Sequence, residues 1–165
     1  MRGASPASTR VGARIDLPRG LVHTDGFLFN RADAMQSIPI GTKGTFTLVV
    51  APEHLANRFK DATLPPVLAT PIMIMMMENA ALNALKPYLE PGQSAVGTHV
   101  DVSHLAATPI GRRVTAVAEV TGREGRRIDF AVAASDDKRK IGTGTHQRML
   151  IDLAEFSARL DKNDR

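Results

Sequence analysis

The segment between Thr70 and Pro87 restricts the fold more than any other part of the chain, because it is apolar on nearly every side of the helix that it would form. Thr70 is expected to cap this helix and Pro71 to occupy its first position, where a missing N–H is not needed, while Pro87 ends it. Its longest wholly apolar run, residues 71–77, is too short to span a membrane. A helix that is apolar all round is buried. The rest of the chain must therefore wrap around it.

Strand-like patterns lie on both sides of this helix. Residues 44–50 are rich in β-branched and aromatic side chains and predict a first strand, and a short helix is expected within residues 53–60. Short breaks with glycine or aspartate separate the later strands, so consecutive strands are expected to be antiparallel hairpin neighbours. After the long helix the sequence predicts four strands and a terminal helix, at residues 95–105, 114–120, 127–134, 141–151 and 152–161.

This order of elements predicts the α+β class. One antiparallel sheet must wrap around one long central helix, which is the outline of a hotdog fold. A single sheet leaves an exposed edge and a half-covered helix, so we expect a homodimer with a continuous sheet, or a dimer of such dimers. We assign residues 41–165 to this domain and residues 1–40 to an N-terminal extension that is partly disordered.

The charge and composition of the 165-residue chain narrow its partners. Of the net charge of +4, residues 1–20 supply +3 through four arginines and one aspartate, so the remainder is nearly neutral. With no tryptophan and one tyrosine, a nucleic-acid surface is not expected. The absence of cysteine excludes thiolate metal sites and cysteine nucleophiles, and no histidine spacing indicates a metal. We expect a soluble cytoplasmic protein without a metal, a cofactor or a membrane partner.

Glu78 is the most informative candidate for chemistry, because it is the only charged residue between positions 67 and 85. A buried carboxylate must find a partner, accept several hydrogen bonds or hold a raised pKa, and each of these conditions is typical of a catalytic group. The alternative is a position at the rim of the helix, from which Glu78 reaches solvent or a structural partner.

His104 is a second candidate. Alternation along its strand places it on the more apolar face, which is expected to meet the helix. His104 is then either a hydrogen-bonded histidine of the core or a titratable group that shares one cleft with Glu78. The residues predicted to lie on the same face are Val96, Thr98, Val100 and Val102.

Thr70 is a third candidate, although a capping role alone would explain it. The N-terminus of a helix presents N–H donors and the positive end of a dipole, which can polarise a carbonyl group beside the hydroxyl. Thr70 and Glu78 lie about 12 Å apart along a helix, so they cannot touch. Either the substrate lies between them or one of the two comes from a second subunit.

The motifs around these residues resemble those of the fluoroacetyl-CoA thioesterase family of hotdog proteins. The resemblance covers roughly residues 45–160 and leaves residues 1–40 unmatched. It rests on seven short stretches: ATPIMIMMME at 69–78, PYLEPG at 87–92, GT at 97–98, SH at 103–104, AATP at 106–109, EGRR at 124–127 and GTGTH at 142–146.

This resemblance implies an acyl-CoA thioesterase whose catalytic threonine, glutamate and histidine are Thr70, Glu78 and His104. It also implies that Gly97 helps to shape the acyl pocket. The fluoroacetate-selective member of the family has a gating phenylalanine six residues before its catalytic threonine. This chain has Leu64 at that position, so the resemblance does not assign the acyl group.

Thioester hydrolysis needs a polarised carbonyl group, a nucleophile or activated water, and a proton for the departing thiol. We expect His104 to act as general base and acid, Thr70 to position or attack the carbonyl, and Glu78 to activate water or to accept the acyl group. A non-catalytic acyl-CoA sensor or carrier is the alternative, and a hotdog dehydratase is a third interpretation. Five arginines are candidates for binding the CoA phosphates: Arg112, Arg113, Arg126, Arg127 and Arg148. Of these, we assign Arg126 and Arg127 to substrate binding.

Overall fold

A computed structural model describes residues 37–163 of the chain. The predicted N-terminal extension lies outside these residues, apart from positions 37–40. Within the described part, no helix has both the length and the apolar character that crossing a lipid bilayer would need.

All the predicted strands and helices are present, with ends that differ from the prediction by a few residues. The short helix expected within residues 53–60 is interrupted, since a 3-10 turn at Pro52–His54 precedes a single turn of α-helix. The strands are β1 (Lys43–Val49), β2 (Gln93–His104), β3 (Arg113–Glu124), β4 (Arg127–Asp136) and β5 (Lys140–Asp152), and the helices are α1 (Ala56–Phe59), α2 (Thr70–Leu85) and α3 (Leu153–Asn163).

The five strands form one antiparallel sheet in the order β1-β3-β4-β5-β2. The predicted hairpins are confirmed for β3 with β4 and for β4 with β5, but the hairpin between β2 and β3 is wrong. Gly111, with a φ of 83°, does make a turn between β2 and β3. Before this turn, however, the chain runs alongside the segment that precedes α2, and the Leu68 N–H donates to the carbonyl oxygen of Thr108 at 2.8 Å. The chain therefore crosses from one edge of the sheet to pair beside β1 at the other.

Helix α2 packs along the inner face of the sheet, as its apolar sequence predicts. Alternate residues of β3, from Val114 to Val120, are fully buried beneath it. Gly44 of β1 lies so close to α2 that a Cβ there would overlap the backbone of Ala80 and Ala84. Small residues at these contacts bring the helix and the sheet together. The buried residues of α2 are Met73, Met76, Met77, Ala80, Ala81, Ala84 and Leu85.

Strand β2 contains a β-bulge that the sequence does not predict. Gly97 pairs with Arg148 and His99 pairs with Gln147, so Thr98 has no opposite residue. The bulge reverses the alternation of side chains along the strand. The prediction that Thr98 and Val96 share the inner face with His104 is therefore wrong, because Gly97 faces α2 before the bulge and even-numbered residues face it afterwards.

Candidate active site

Thr70 and His104 meet where the first turn of α2 approaches the end of β2. The Thr70 hydroxyl oxygen and Nδ1 of His104 are hydrogen-bonded at 2.9 Å. The N-cap residue of α2 is Ala69, in an extended conformation, and no side chain caps the helix. The prediction that Thr70 caps α2 is therefore wrong: Thr70 is already helical, and its hydroxyl bonds His104 instead.

His104 is half-buried at the end of β2. Burial disfavours the charged ring and lowers the pKa of His104 below its ordinary value of 6.5, while an interaction with the Ala106 backbone opposes this shift only in part. Its Nε2 atom is buried and has no hydrogen-bond partner among residues 37–163. A neutral ring with one nitrogen still available is what a general base requires.

A cavity of about 420 Å³ opens beside this pair. Leu64, which takes the place of the family's gating phenylalanine, lies in its wall, and Lys60 is the basic side chain there. Because Thr70 is among the lining residues, the positive end of the α2 dipole borders the cavity. The complete lining consists of Ala56, Lys60, Leu64, Pro65, Val67, Leu68, Thr70, His104, Leu105, Ala106 and Ala107.

Glu78 lies two turns further along α2, half-buried and facing Gly97 of β2. A Cβ atom at Gly97 would come within 2.6 Å of Glu78 Oε1 and 3.2 Å of Cε1 of His146. The missing side chain at Gly97 therefore provides the space that the Glu78 carboxylate occupies.

Within one chain, Glu78 does not line the cavity that holds Thr70 and His104. The two catalytic candidates on α2 are separated by about 12 Å along the helix axis. The expectation that packing brings Glu78 and His104 into one cleft is thus not met inside a single chain. The structure brings together Thr70, His104 and Leu64 as one group, and Glu78 and Gly97 as another.

A buried histidine and arginine next to Glu78 were not singled out as a pair from the sequence. His146 is 1% exposed and Arg148 is 7% exposed, both on the inner face of β5. The Arg148 guanidinium donates to the carbonyl oxygens of Glu78 at 3.2 Å and Ala95 at 2.6 Å. The expectation that Arg148 binds CoA phosphates at a groove mouth is therefore wrong. The signal that could have placed it inside is its alternation with Leu150, which is buried on the same face.

Arg126 and Arg127 lie in the hairpin between β3 and β4, away from the cavity of their own chain. Arg126 Nε donates to the Leu150 carbonyl oxygen at 2.8 Å, and Arg127 forms an exposed ion pair at 2.7 Å. His104 pairs with Gly142 on β5, eight residues before Leu150, which corresponds to about 26 Å along a strand. A substrate bound by both groups would have to reach from one end of the sheet to the other.

The two other candidates for binding CoA phosphates lie near the start of β3. Arg112 forms an ion pair with Asp137 at 2.6 Å, and Arg113 is exposed. Among residues 37–163, no group of three or more histidine, cysteine, aspartate or glutamate side chains is arranged to hold a metal ion.

Known proteins with similar sequences and structures identify the family of this chain. A fluoroacetyl-CoA thioesterase of Streptantibioticus cattleyicolor is 42% identical over 126 residues, which is 73% of this chain and 91% of that protein. A solved structure of a variant of the fluoroacetyl-CoA-specific thioesterase in complex with fluoroacetate and CoA is 41% identical, covers 72% of this chain and 98% of that one, and superposes with a TM-score of 0.68.

A thioesterase superfamily member from Thermus thermophilus superposes with a TM-score of 0.74 at 32% identity, covering 79% of this chain and 96% of its own. These likenesses confirm the predicted hotdog fold, an antiparallel sheet curled around one long helix. The family model of the fluoroacetyl-CoA-specific thioesterases matches residues 50–154, which include Thr70, Glu78 and His104. The chain belongs to the fluoroacetyl-CoA-specific thioesterase family.

Proposed function

We propose that this protein hydrolyses a small acyl-CoA thioester. The observation that carries the proposal is the 2.9 Å hydrogen bond between Thr70 and His104 at the wall of a cavity of about 420 Å³, in a chain of a thioesterase family. A relative named for fluoroacetyl-CoA hydrolysis and a solved complex of that enzyme with fluoroacetate and CoA support an acyl-CoA substrate.

In this mechanism, His104 moves the protons. Where water or the Thr70 hydroxyl attacks, the neutral ring accepts the proton of this nucleophile and then donates it to the CoA sulfur as the C–S bond breaks. Where the Glu78 carboxylate attacks, it has no proton to give, so the CoA thiolate leaves and takes a proton from solvent, and His104 removes a proton from the water that releases the acyl group. The products are a carboxylic acid and the CoA thiol. In the direct route water attacks the carbonyl carbon, and in the covalent route Glu78 or Thr70 first accepts the acyl group and water then releases it. The nearby helix terminus polarises the carbonyl oxygen in both routes, and the Thr70 hydroxyl does so as well wherever it is not itself the nucleophile.

The cavity wall bears on which substrate is hydrolysed. Leu64 leaves an aliphatic wall where the fluoroacetate-selective relative has an aromatic gate, so we do not assign fluoroacetyl as the preferred acyl group. Lys60, at the same wall, is placed to attract a CoA phosphate. The proposal includes no metal, cofactor or nucleic-acid partner. The absence of cysteine fits the reducing environment of the cytoplasm.

The distance between Thr70 and Glu78 leads us to propose a site completed by a second subunit. Strand β2 is an edge of the sheet, and its residues 97–101 are exposed in the single chain. Pairing of two β2 edges would continue the sheet through a homodimer and cover these residues. The Glu78 of one chain would then complete the site that contains Thr70 and His104 of the other.

The first experiment is thiol release from a panel of short, branched, aromatic and fluorinated acyl-CoA thioesters. A thiol-reactive dye has no protein background here, because the chain has no cysteine. We expect turnover of one substrate class and a loss of about 100-fold or more in His104→Ala. Binding of acyl-CoA without turnover across the panel would contradict the proposal and indicate a sensor or carrier.

Mixing two inactive variants tests the shared site. If Thr70 and Glu78 of different chains form one site, a Thr70→Ala and Glu78→Gln heterodimer has one intact site, and random mixing restores about a quarter of wild-type activity. If both residues serve the same site from one chain, every site in the mixture carries a defect and activity stays at the level of the separate variants. Native mass spectrometry is the control for subunit exchange, because the heterodimer has a mass between those of the two homodimers.

A further inference from the structure

Gly97 and His104 lie an odd number of residues apart on β2, so they would project from opposite faces of a regular strand. In this protein both face α2, since Gly97 lies against Glu78 and His104 bonds Thr70. The bulge at Thr98 makes this possible because it reverses the alternation between them. The bulge is therefore what puts the two halves of the site on one face of the sheet.

Two side chains of β5 bond main-chain oxygens of β2 on either side of this bulge. Nδ1 of His146 lies 2.7 Å from the carbonyl oxygen of His99, just after the bulge. Nη2 of Arg148 donates to the carbonyl oxygen of Ala95, just before it, at 2.6 Å. Arg148 also donates to the Glu78 carbonyl oxygen at 3.2 Å. The bulge is thus tied both to β5 and to α2.

The hydrogen bonds of His146 define its protonation. A carbonyl oxygen only accepts, so Nδ1 carries a hydrogen and donates it to His99, whereas a guanidinium only donates, so Nε2 accepts from Arg148 at 3.3 Å. The ring is therefore a neutral imidazole with its hydrogen on Nδ1. Burial lowers the pKa of His146, and the charge of Arg148 lowers it further against the opposing His99 hydrogen bond. The ring also stacks on Phe130, with centroids 6.1 Å apart.

We propose that His146 is a positioning residue that holds the bulge of β2 and so keeps Gly97 and His104 on the same face of the sheet. The inference rests on the proposed thioesterase function for its kinetic consequence, but not for its structural one. His146 touches neither the cavity nor the hydroxyl of Thr70. It acts through the His99 carbonyl, which it bonds across the sheet.

Three substitutions separate the two hydrogen bonds of His146. In His146→Asn the amide N–H can still donate to the His99 oxygen. In His146→Gln the longer amide replaces only the acceptor toward Arg148. His146→Leu removes both hydrogen bonds. We expect His146→Leu and His146→Gln to lower kcat about 10- to 100-fold, because the reacting groups are displaced. KM should change less than about threefold, and His146→Asn should retain kcat within about threefold.

Val120→Ala is the matched control for lost stability. Val120 is fully buried on β3 and removal of its methyl groups should lower Tm without affecting kcat at a temperature where the protein is folded. Wild-type kcat in folded His146→Leu would overturn the proposal. Rescue by Gln rather than by Asn would do so as well, because it would place the role in the contact with Arg148.

A second measurement does not depend on activity. Nitrogen-15 spectra of the full chain should show His146 with a protonated Nδ1 and an unprotonated Nε2 at neutral pH. In His146→Leu, hydrogen exchange of the β2 amides at residues 98–100 should accelerate about tenfold or more relative to β3. The opposite tautomer, or unchanged exchange at the bulge, would overturn the proposal even if the protein hydrolyses thioesters. If no thioester is hydrolysed, these two readings still decide whether His146 holds the bulge.

Discussion

At the scale of single residues, His104 links burial to chemistry. Its pKa is lowered mainly by burial, so the ring takes up a proton only below its ordinary value of 6.5. A general base is active when unprotonated, so kcat/KM should be flat near pH 7 and should fall only as the pH drops below 6.5. The acid limb of a pH–rate profile of the free enzyme measures this value.

Residual activity in His104→Ala should lack that limb, which provides the control. A limb centred above pH 6.5 would contradict the lowered pKa. A limb that persists unchanged in His104→Ala would assign it to another group.

Gly97 provides a steric prediction at the same scale. In Gly97→Ala the new methyl group would lie within 2.6 Å of Glu78 Oε1, so the carboxylate must move. We expect the variant to fold and to lose about 10- to 100-fold in kcat, as displaced catalytic groups do. The measurement is steady-state kinetics beside a thermal unfolding curve.

The matched control is Gly122→Ala on β3. The three atoms nearest to its added Cβ would all belong to Asp129, with Oδ2 at 3.1 Å, and Asp129 is not in the site. Gly122→Ala should leave kcat unchanged. Equal losses in both variants would show that strand glycines matter for folding rather than for the position of Glu78.

The candidate residues show what sequence reasoning could and could not reach. Thr70, Glu78 and His104 stand out by type and place, and Leu64 does line the cavity beside Thr70. The hydrogen bond between Thr70 and His104 was not predictable, because a threonine before a helical proline is equally typical of a cap. The buried pair of His146 and Arg148 was missed, because an arginine gives no local sign that main-chain oxygens will accept its hydrogen bonds.

At the scale of elements, the period of apolar residues was sufficient to predict every strand and helix. It did not predict the bulge in β2 or the path of the loop between β2 and β3. The bulge at Thr98 was not predicted although Gly97 directly precedes it, because a lone glycine within a strand is equally typical of a site where another group approaches closely. The loop between β2 and β3 carries an ordinary turn at Gly111, yet its pairing depends on contacts with distant residues such as Leu68. Local patterns predict elements, whereas long-range contacts decide their neighbours.

The contact between β1 and α2 leads to a prediction at this scale. In Gly44→Ala the added methyl group would overlap the helix backbone at Ala80 and Ala84, which cannot move without displacing α2. We expect a loss of about 1–3 kcal/mol in the free energy of unfolding. Chemical denaturation measures it, with the exposed Thr45→Ala on the same strand expected to change stability by less than about 0.5 kcal/mol. Similar losses in both variants would contradict a specific role for the close approach.

At the scale of the whole molecule, the sheet has two edges, and the one formed by β2 carries the exposed residues beside the site. Val100 of β2 pairs with His146 of β5, yet its side chain is 37% exposed in the single chain. The single sheet predicted an exposed edge but did not identify it as β2, because β2 was expected to pair with β3. The dimer remains a prediction. The fold of one chain positions Thr70 with His104, and the assembly would decide whether Glu78 joins them.

The half-buried His104 and the buried His146 also make the stability of the whole molecule depend on pH. Burial lowers the pKa of both His104 and His146 below 6.5, so in the unfolded chain these rings bind protons at a higher pH than in the folded one. Between 6.5 and the lower folded values the unfolded state binds more protons, and acid therefore favours unfolding. We expect Tm to fall as the pH decreases through this window, measured by calorimetry in buffers of constant ionic strength.

Asp61, whose pKa is lowered by hydrogen bonds from Thr63, loses its charge only below 3.8 and cannot cause this fall. A Tm that is constant from pH 7 to pH 5 would contradict neutral burial of the two rings, and a shallower slope in His104→Asn would identify the share that belongs to the active site.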